Sequence, residues 1–482
     1  MKRIIALFLA CLMIMSLALT GCGKRNTKDG STTDPGSNTG QNTDQEDNND
    51  NQGDNNETAT VEDDPSVKTF NIYAFTDEVP NMIKKFKELY PDEFPYEIKE
   101  TIIATTDGLY QPALDQALAN GGSDAPDLYV AEAAFVIKYT QGDASQYAKP
   151  YKELGIDVDN LLKEAEIAPY TVDIGTNTDS QVVALAYQST GGAFIYRRSI
   201  AKDVWGTDDP EVIKGKIGPG WDKFFEAAEE LKQKGYAIIS GDGDLWHAVE
   251  NSSDQGWVVD GKLTIDPKRE EFFDLSKKLK DNNYHNDTVD WQDAWFADMK
   301  GVGEKEVFGF FGPAWLINYT LHDNCGGTKV GEGTYGDWAV CEPPIGFFWG
   351  GSWILANKDT KIPKTLGKVI EWITLDSSEN GLQHMWANGT FSEDSAKDTV
   401  ASGTVMKRSD GELDFLGGQN MFEVFVPAGE FANGKNLTQY DETINKVWRE
   451  QVREYTAGNK SKEQAIEDFK QDVRDNTDLI VE

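Results

Sequence analysis

The sequence predicts an α/β protein with a mainly parallel sheet, and three observations carry that prediction. Residues 69 to 130 alternate strand-like and helix-like periods in a βαβαβ order. Gly-Gly pairs beside strand-like runs recur at Val182 to Arg198 and at Gly346 to Ala356. Amphipathic helical patterns separate such runs and dominate the C-terminal part. Parallel strands present ligands at their carboxyl ends.

The elements follow in order. Thr69 to Phe75 alternates like a strand, and Val79 to Tyr90 has helical spacing that Pro91 stops. Tyr96 to Ala104 is a second strand, Leu109 to Asn120 a helix closed by Gly121-Gly122, and Asp127 to Val130 a third strand. The strand ends carry Thr76-Asp77-Glu78 and Ala131-Glu132, where acidic residues serve either as helix caps or as acceptors for ligand hydroxyls. Pro219-Gly220-Trp221-Asp222 opens an amphipathic helix that Gly235 closes. Gly241 to His247 is expected to be a glycine-rich strand end carrying Trp246. Val307 to Tyr319 gives a buried strand, a Gly-Pro turn and a helix start, and Trp338 to Pro344 a further strand. In Gly346 to Ala356 (GFFWGGSWILA) the glycine pair beside Trp349 lets another molecule approach the backbone and the indole face. A helix follows over Leu366 to Leu375, and long helical patterns start at Glu423, Tyr440 and Lys462.

Composition narrows the function. The chain has 482 residues and a formal charge of -36, so its surface repels nucleic-acid backbones and anionic headgroups. A neutral ligand would then be held by stacking and hydrogen bonds. The four His and four Cys form no CxxC pair and no HExxH, and no Gly-Lys pair is followed by Ser or Thr, so neither a metal site, a cofactor nor a Walker A loop is expected.

Met1-Lys2-Arg3, an apolar run from Ile4 to Thr20 and Leu19-Thr20-Gly21-Cys22 read as an export signal over 1 to 22. The last four residues resemble a bacterial lipobox, which implies diacylglyceryl lipidation (with palmitate-type chains) at Cys22 and an exported protein anchored to the outer face of the cytoplasmic membrane, as on a Gram-positive cell surface. Residues 23 to 66 hold eleven acidic and three basic residues with almost no apolar ones, and are expected to be a disordered tether.

Four blocks carry a wider resemblance: PDLYVAE at Pro126 to Glu132, GWDKFFEAA at Gly220 to Ala228, GPAWLIN at Gly312 to Asn318 and FWGGSWI at Phe348 to Ile354. Their order and spacing, with the lipobox, resemble the extracellular solute-binding lipoproteins of bacterial ABC sugar importers. The resemblance implies a two-lobed, periplasmic-binding-protein-like α/β fold, each lobe a mainly parallel sheet flanked by helices and joined by hinge crossings. It implies a first lobe from 67 to 190 plus 345 to 395 and a second from 191 to 344 plus 396 to 482. It also implies a monomeric, non-enzymatic protein that delivers an oligosaccharide to ABC permease transmembrane subunits. Carried over by position, the ligand groups fall on Asp77, Glu132, Trp315 and Trp246. The family's maltodextrin binders have an aromatic after the third strand where this chain has Ala131 and Glu132, which counts against an α-glucan.

Sugar chemistry suits these residues. A pyranose lays its C-H face on an aromatic ring and asks for carboxylate and amide partners at its hydroxyls. Trp349, Trp315 and Trp246 are therefore the expected platforms, with Gly350 and Gly351 allowing close approach. Asp77, Glu132, Gln188, Gln419 and Asn420 are the expected hydrogen-bonding set. Cys325 and Cys341 could either form a disulfide, which export permits, or remain separate buried thiols. A surface glycoside hydrolase and a binder of a cationic solute such as a polyamine are the alternatives.

Overall fold

A computed structural model describes residues 61–105 and 108–482. The export signal, Cys22 and most of the expected tether lie outside the described residues. No helix among the described residues is long and apolar enough to cross a membrane.

The first sheet contains β1 (Thr69–Ala74), β2 (Glu97–Ile102), β3 (Leu128–Glu132) and β4 (Ala184–Ala186). The second contains β5 (Ala193–Arg197), and a separate hairpin joins β6 (Val258–Val259) to β7 (Lys262–Leu263). Then β8 (Gly309–Gly312) and β9 (Trp338–Cys341) flank β5, and β10 (Ser352–Ala356) returns to the first sheet. The first sheet has the order β2-β1-β3-β10-β4, with β1 parallel to β2 and β3 and β10 antiparallel to β3 and β4.

Both faces of β3, β10 and β4 are covered, which explains their near-continuous apolar runs, whereas the edge strand β2 is half-exposed. Leu128 and Val130 of β3 pack with Ile354 and Ala356 of β10 toward helices Glu78–Leu89 and Pro363–Thr374. Tyr129, Ala131, Trp353 and Leu355 point the other way, toward helix Tyr110–Asn120. This is the two-residue strand period with a core on each side.

The second lobe departs from the mainly parallel expectation. Its sheet, β8-β5-β9, is antiparallel throughout. Parallel pairing enters through the isolated bridges Ala237–Val307 and Ile239–His285. The reason is topological: the chain enters this lobe along β5, coming from β4, and leaves it along β9, going to β10, so the two entry and exit strands are neighbours of opposite direction.

The crossings are 187–192, from β4 to β5, and 342–351, from β9 to β10. They pair with each other: Gly192 N donates to Phe347 O at 2.9 Å and Trp349 N to Thr190 O at 3.1 Å. A third segment lies beside the first, with Ala401 N on Tyr187 O at 2.8 Å and Thr399 Oγ1 on Ser189 O at 2.7 Å. Residues 402–409, expected with the second lobe, are tied to first-lobe neighbours. Ser402 Oγ donates to Ala165 O at 2.7 Å, and Gln383 Oε1 accepts from Ser402 N at 2.7 Å.

The end of the expected tether is also bound. Asp63 accepts from Lys364 N at 2.8 Å and from Thr365 Oγ1 at 2.6 Å, placing a carboxylate at the N-terminus of helix Pro363–Thr374. The unsatisfied amides and the helix dipole favour an anion there.

Cys325 and Cys341 are free and buried, so the disulfide alternative is not realised. Cys325 packs in the core with Val340, whereas Cys341, one residue along β9, points into the opposite core. Cys325 Sγ instead donates to His322 O at 3.0 Å. Burial pushes both thiols up. Titration with a thiol reagent is therefore expected to find these two cysteines silent in native protein and both reactive after denaturation without reductant. Loss of both signals in the denatured protein would restore the disulfide.

Candidate functional site

Glu132, at the carboxyl end of β3, lies opposite Ser352, so register brings the Gly350-Gly351 turn beside the carboxylate. Gly350 has φ +72°, and a Cβ there would stand 3.5 Å from both Glu132 Oε1 and Trp315 Nε1. A side chain would be strained by the backbone, while its Cβ would sit in ordinary contact with both groups. Trp315 Nε1 donates to Trp349 O at 3.1 Å, which fixes the two indoles with centroids 4.6 Å apart at 63°.

Two further rings complete the arrangement. His247 stacks on Trp349 with centroids 3.4 Å apart and planes at 14°. Trp291, half exposed, lies parallel to Trp315 at 6.2 Å and 12°, and at 64° to Trp349. Trp291 has φ +65°, a left-handed conformation that costs a non-glycine residue of order 1 kcal/mol or more. The result is a box: Trp291 and Trp315 are walls, and Trp349, backed by His247, is the floor.

The charges are arranged around this floor. Asp290 Oδ1 lies 2.7 Å from Arg449 Nη2 and 3.7 Å from Arg453 Nη2, and Asp290 Oδ2 lies 3.5 Å from His247 Nε2. Burial pushes the Asp290 carboxyl up, but His247 and Arg449 outweigh it and hold the group well below the usual carboxylate range. Burial lowers His247, despite Asp290, and keeps it neutral at pH 7. Gly243 makes room for the ion pair, since a Cβ there would stand 2.8 Å from Arg449 Nη2.

Other carboxylates lack such compensation. Burial pushes Glu132 up to about 7 against the Ala134 N–H, with Glu442 adding to the rise. Glu250 also reaches about 7 through burial, opposed by Arg449 and reinforced by Asp441. Farther along, Glu78 accepts from Tyr187 Oη and, at 3.0 Å, from Tyr319 Oη. Asp398 accepts from Gln188 Nε2 at 3.3 Å and is raised to about 7 by burial, with Glu78 adding to it. The two sides meet at Gln111, whose Nε2 donates to Glu442 Oε2 at 2.7 Å, and at Gln439, which accepts from Asp143 N at 2.9 Å.

The structure thus brings together Glu132, Trp315, Trp349, Gly350 and Gly351 among the residues expected from sequence. Gln188 is buried and holds Asp398. The other expected residues stand elsewhere. Asp77 is exposed at the start of helix Glu78–Leu89, and its neighbour Glu78 makes the tyrosine contacts. Trp246 is 1% exposed and packs on Phe272 at 4.9 Å, so it is core. The reason is that Asp242–Glu250 is a helix, not a strand end, and its approximately 100° step per residue turns His247 toward Trp349. Gln419 pairs with the backbone of Val340, accepting at 2.9 Å and donating at 2.8 Å, and Asn420 accepts from Phe422 N at 3.0 Å. Their side chains complete the edge of β9 and a turn. His247, Asp290, Trp291 and Arg449 were missed; only Trp291, a large aromatic in a polar stretch, left a signal.

A pH dependence follows from these shifts. Glu132, Glu250, Asp244 and Asp398 titrate near 7 in the folded chain and Asp441 near 6, all above their unfolded values. Between about pH 4 and these values the folded state binds more protons, so stability falls as pH rises. Buried His247 and His285 act the other way below their unfolded value, as does Asp290 in acid. The five carboxylates outnumber the two histidines, so the unliganded Tm is expected to rise from pH 8 to about 6 and to fall only in stronger acid. A scanning-calorimetry series showing a steady fall from pH 8 to 6 would contradict this.

A cavity of about 210 Å³ lined by Pro344, Gly346, Val424, Pro427 and Phe431 includes none of the box residues. It is not the site described above.

Comparisons with known proteins agree with this architecture. The sequence model of the family described as bacterial extracellular solute-binding protein matches residues 74–379. No curated protein matches. Among solved structures, the chain is similar to the galacto-N-biose/lacto-N-biose I-binding protein of an ABC transporter from Bifidobacterium longum in complex with lacto-N-biose. That pair is 17% identical, with 87% of this chain and 100% of the other covered and a TM-score of 0.63. An ABC substrate-binding protein from Listeria monocytogenes in complex with cycloalternan is 13% identical, covering 85% and 99%, with a TM-score of 0.60. Maltose-bound MalE3 of T. maritima is 16% identical, covering 85% and 100%, with a TM-score of 0.57. At these identities the structures establish the two-lobed fold, and the matched span exceeds half the chain: this protein belongs to the bacterial extracellular solute-binding protein family.

Proposed function

We propose that this protein captures an oligosaccharide between its lobes and hands it to the transmembrane subunits of an ABC importer, without chemical change to the ligand. The observation that carries the reading is the box of Trp291, Trp315 and Trp349 with Glu132 at its edge. Indole faces suit the C-H faces of a sugar ring, and a carboxylate at the edge suits its hydroxyls. The ligands held by the similar solved proteins, lacto-N-biose, cycloalternan and maltose, support a carbohydrate. The first lobe would comprise 67–190 and 345–395 together with 402–409, and the second the remainder of 191–482. Hinge closure would occur about the paired crossings. Cys22 would carry the lipid, and the acidic segment after it would hold the globule away from the membrane as a monomer.

A thermal-shift panel of xylo-, manno-, malto- and galacto-oligosaccharides tests the reading. A true ligand at 100 times its dissociation constant adds about 2.7 kcal/mol of stability. Saturable binding of intact sugar is expected. Release of new reducing ends would instead establish a glycoside hydrolase.

A ring gripped on both faces at 3.5–4.0 Å needs walls about 7–8 Å apart. The Trp291–Trp315 centroid distance is 6.2 Å, so the ligand must part them. Binding is therefore expected to change tryptophan fluorescence, and the change should disappear in Trp291→Ala.

A further inference from the structure

We propose, resting on the carbohydrate reading above, that the ligand is an amine-bearing glycan, whose protonated nitrogen sits over the tryptophan box and is neutralised by Glu132 and Glu250. The first observation is charge balance. Among the described residues, no Lys or Arg forms an ion pair with Glu78, Glu132, Glu250 or Asp398. Arg449, the guanidinium at the site, is already committed to Asp290 at 2.7 Å. Glu132 spends one oxygen on Ala134 N at 2.8 Å, and Glu250 accepts from Asn445 Nδ2 at 2.5 Å. Each retains its second carboxyl oxygen to offer.

The second observation is the box itself, since the ring quadrupoles of Trp291, Trp315 and Trp349, gathered within 4.6–6.2 Å of one another, attract a cation. A neutral sugar would reach these oxygens through its hydroxyls alone, whereas an ammonium also brings the counter-charge that lets buried carboxyls stay ionised. An ammonium group answers the carboxylates and the ring faces together, while the sugar ring supplies the flat C-H surface that the parallel walls require.

The experiment uses the full chain with four probes: a fully deacetylated trimer of β-1,4-linked glucosamine, its fully N-acetylated twin, cellotriose and spermidine. Calorimetry at low and high salt is expected to show the deacetylated trimer binding at least about tenfold more tightly than its acetylated twin and cellotriose, with affinity weakened by salt. Glu132→Gln with Glu250→Gln should erase that preference, while the unliganded Tm stays the same or rises. Equal or tighter, salt-insensitive binding of a neutral oligosaccharide would overturn the inference and leave sugar capture standing. Tight spermidine binding with no response to any glycan would overturn both. Absence of binding by the aminated trimer, whatever the neutral panel does, also overturns it.

Discussion

Asp290→Asn is expected to lower the free energy of unfolding at pH 7 by about 3 kcal/mol, a large fraction of a domain's net stability. Asp290 is the shared partner of three groups: Arg449 at 2.7 Å, His247 at 3.5 Å and Arg453 at 3.7 Å. Its side chain is 8% exposed, so the asparagine would leave the Arg449 charge in a largely dehydrated setting without its counter-charge. Because the folded Asp290 carboxyl is depressed, its contribution is present above the unfolded value and disappears as pH falls through the folded one. The wild-type and variant denaturation curves should therefore converge in strong acid. Arg453→Gln is the control, since that side chain is 39% exposed and more distant, and it should cost under about 1 kcal/mol. A cost for Asp290→Asn as small as for Arg453→Gln would mean that the cluster is screened like a surface pair.

Trp349→Ala is expected to abolish the ligand-induced thermal shift, corresponding to at least about a 100-fold loss of affinity. The indole is the floor of the box; its removal also strips the Trp315 ring of its aromatic neighbour at 4.6 Å, while the backbone carbonyl of residue 349 still accepts from Trp315 Nε1. Trp349 is only partly buried, so the unliganded protein should lose about 1–2 kcal/mol. Trp353→Ala provides the comparison. Trp353 is fully buried in β10 and donates Nε1 to Thr171 O at 3.0 Å, and its removal should cost about 3–5 kcal/mol. Equal losses of unliganded stability in the two variants would return Trp349 to the core.

Much of the scaffold was legible because it rests on local periodicity. The βαβαβ start, the Gly-Pro turn into the Trp315 helix and the C-terminal helices could be read from apolar spacing and helix stops. The helix Asp242–Glu250 could not, because Gly241 and Gly243 after an apolar run suggested a glycine-rich strand end, while the capping by Asp244 is a side-chain event. Asp244 Oδ2 accepts from Ser240 N at 3.1 Å and from Gly241 N at 3.0 Å, and that pair starts the helix. The consequence for the site was a one-residue error: His247, not Trp246, faces Trp349. The same kind of shift separates Asp77 from Glu78, since the strand ends one residue earlier than the alternation suggested and the following helix turns the second acid toward Tyr187 and Tyr319.

By itself the sequence determined the α/β class, the Gly-Gly approach at Trp349 and the placement of Glu132 at a strand end, because each follows from backbone preference within a few residues. Only the tertiary structure decided which aromatics share a space and which charges are compensated. Trp291 and Trp315 lie 24 positions apart in the chain and become parallel walls, and Asp290 meets Arg449 from a helix near the C-terminus. The physical reason is that stacking and ion pairing depend on distances of a few ångströms, which long-range packing sets and local spacing does not.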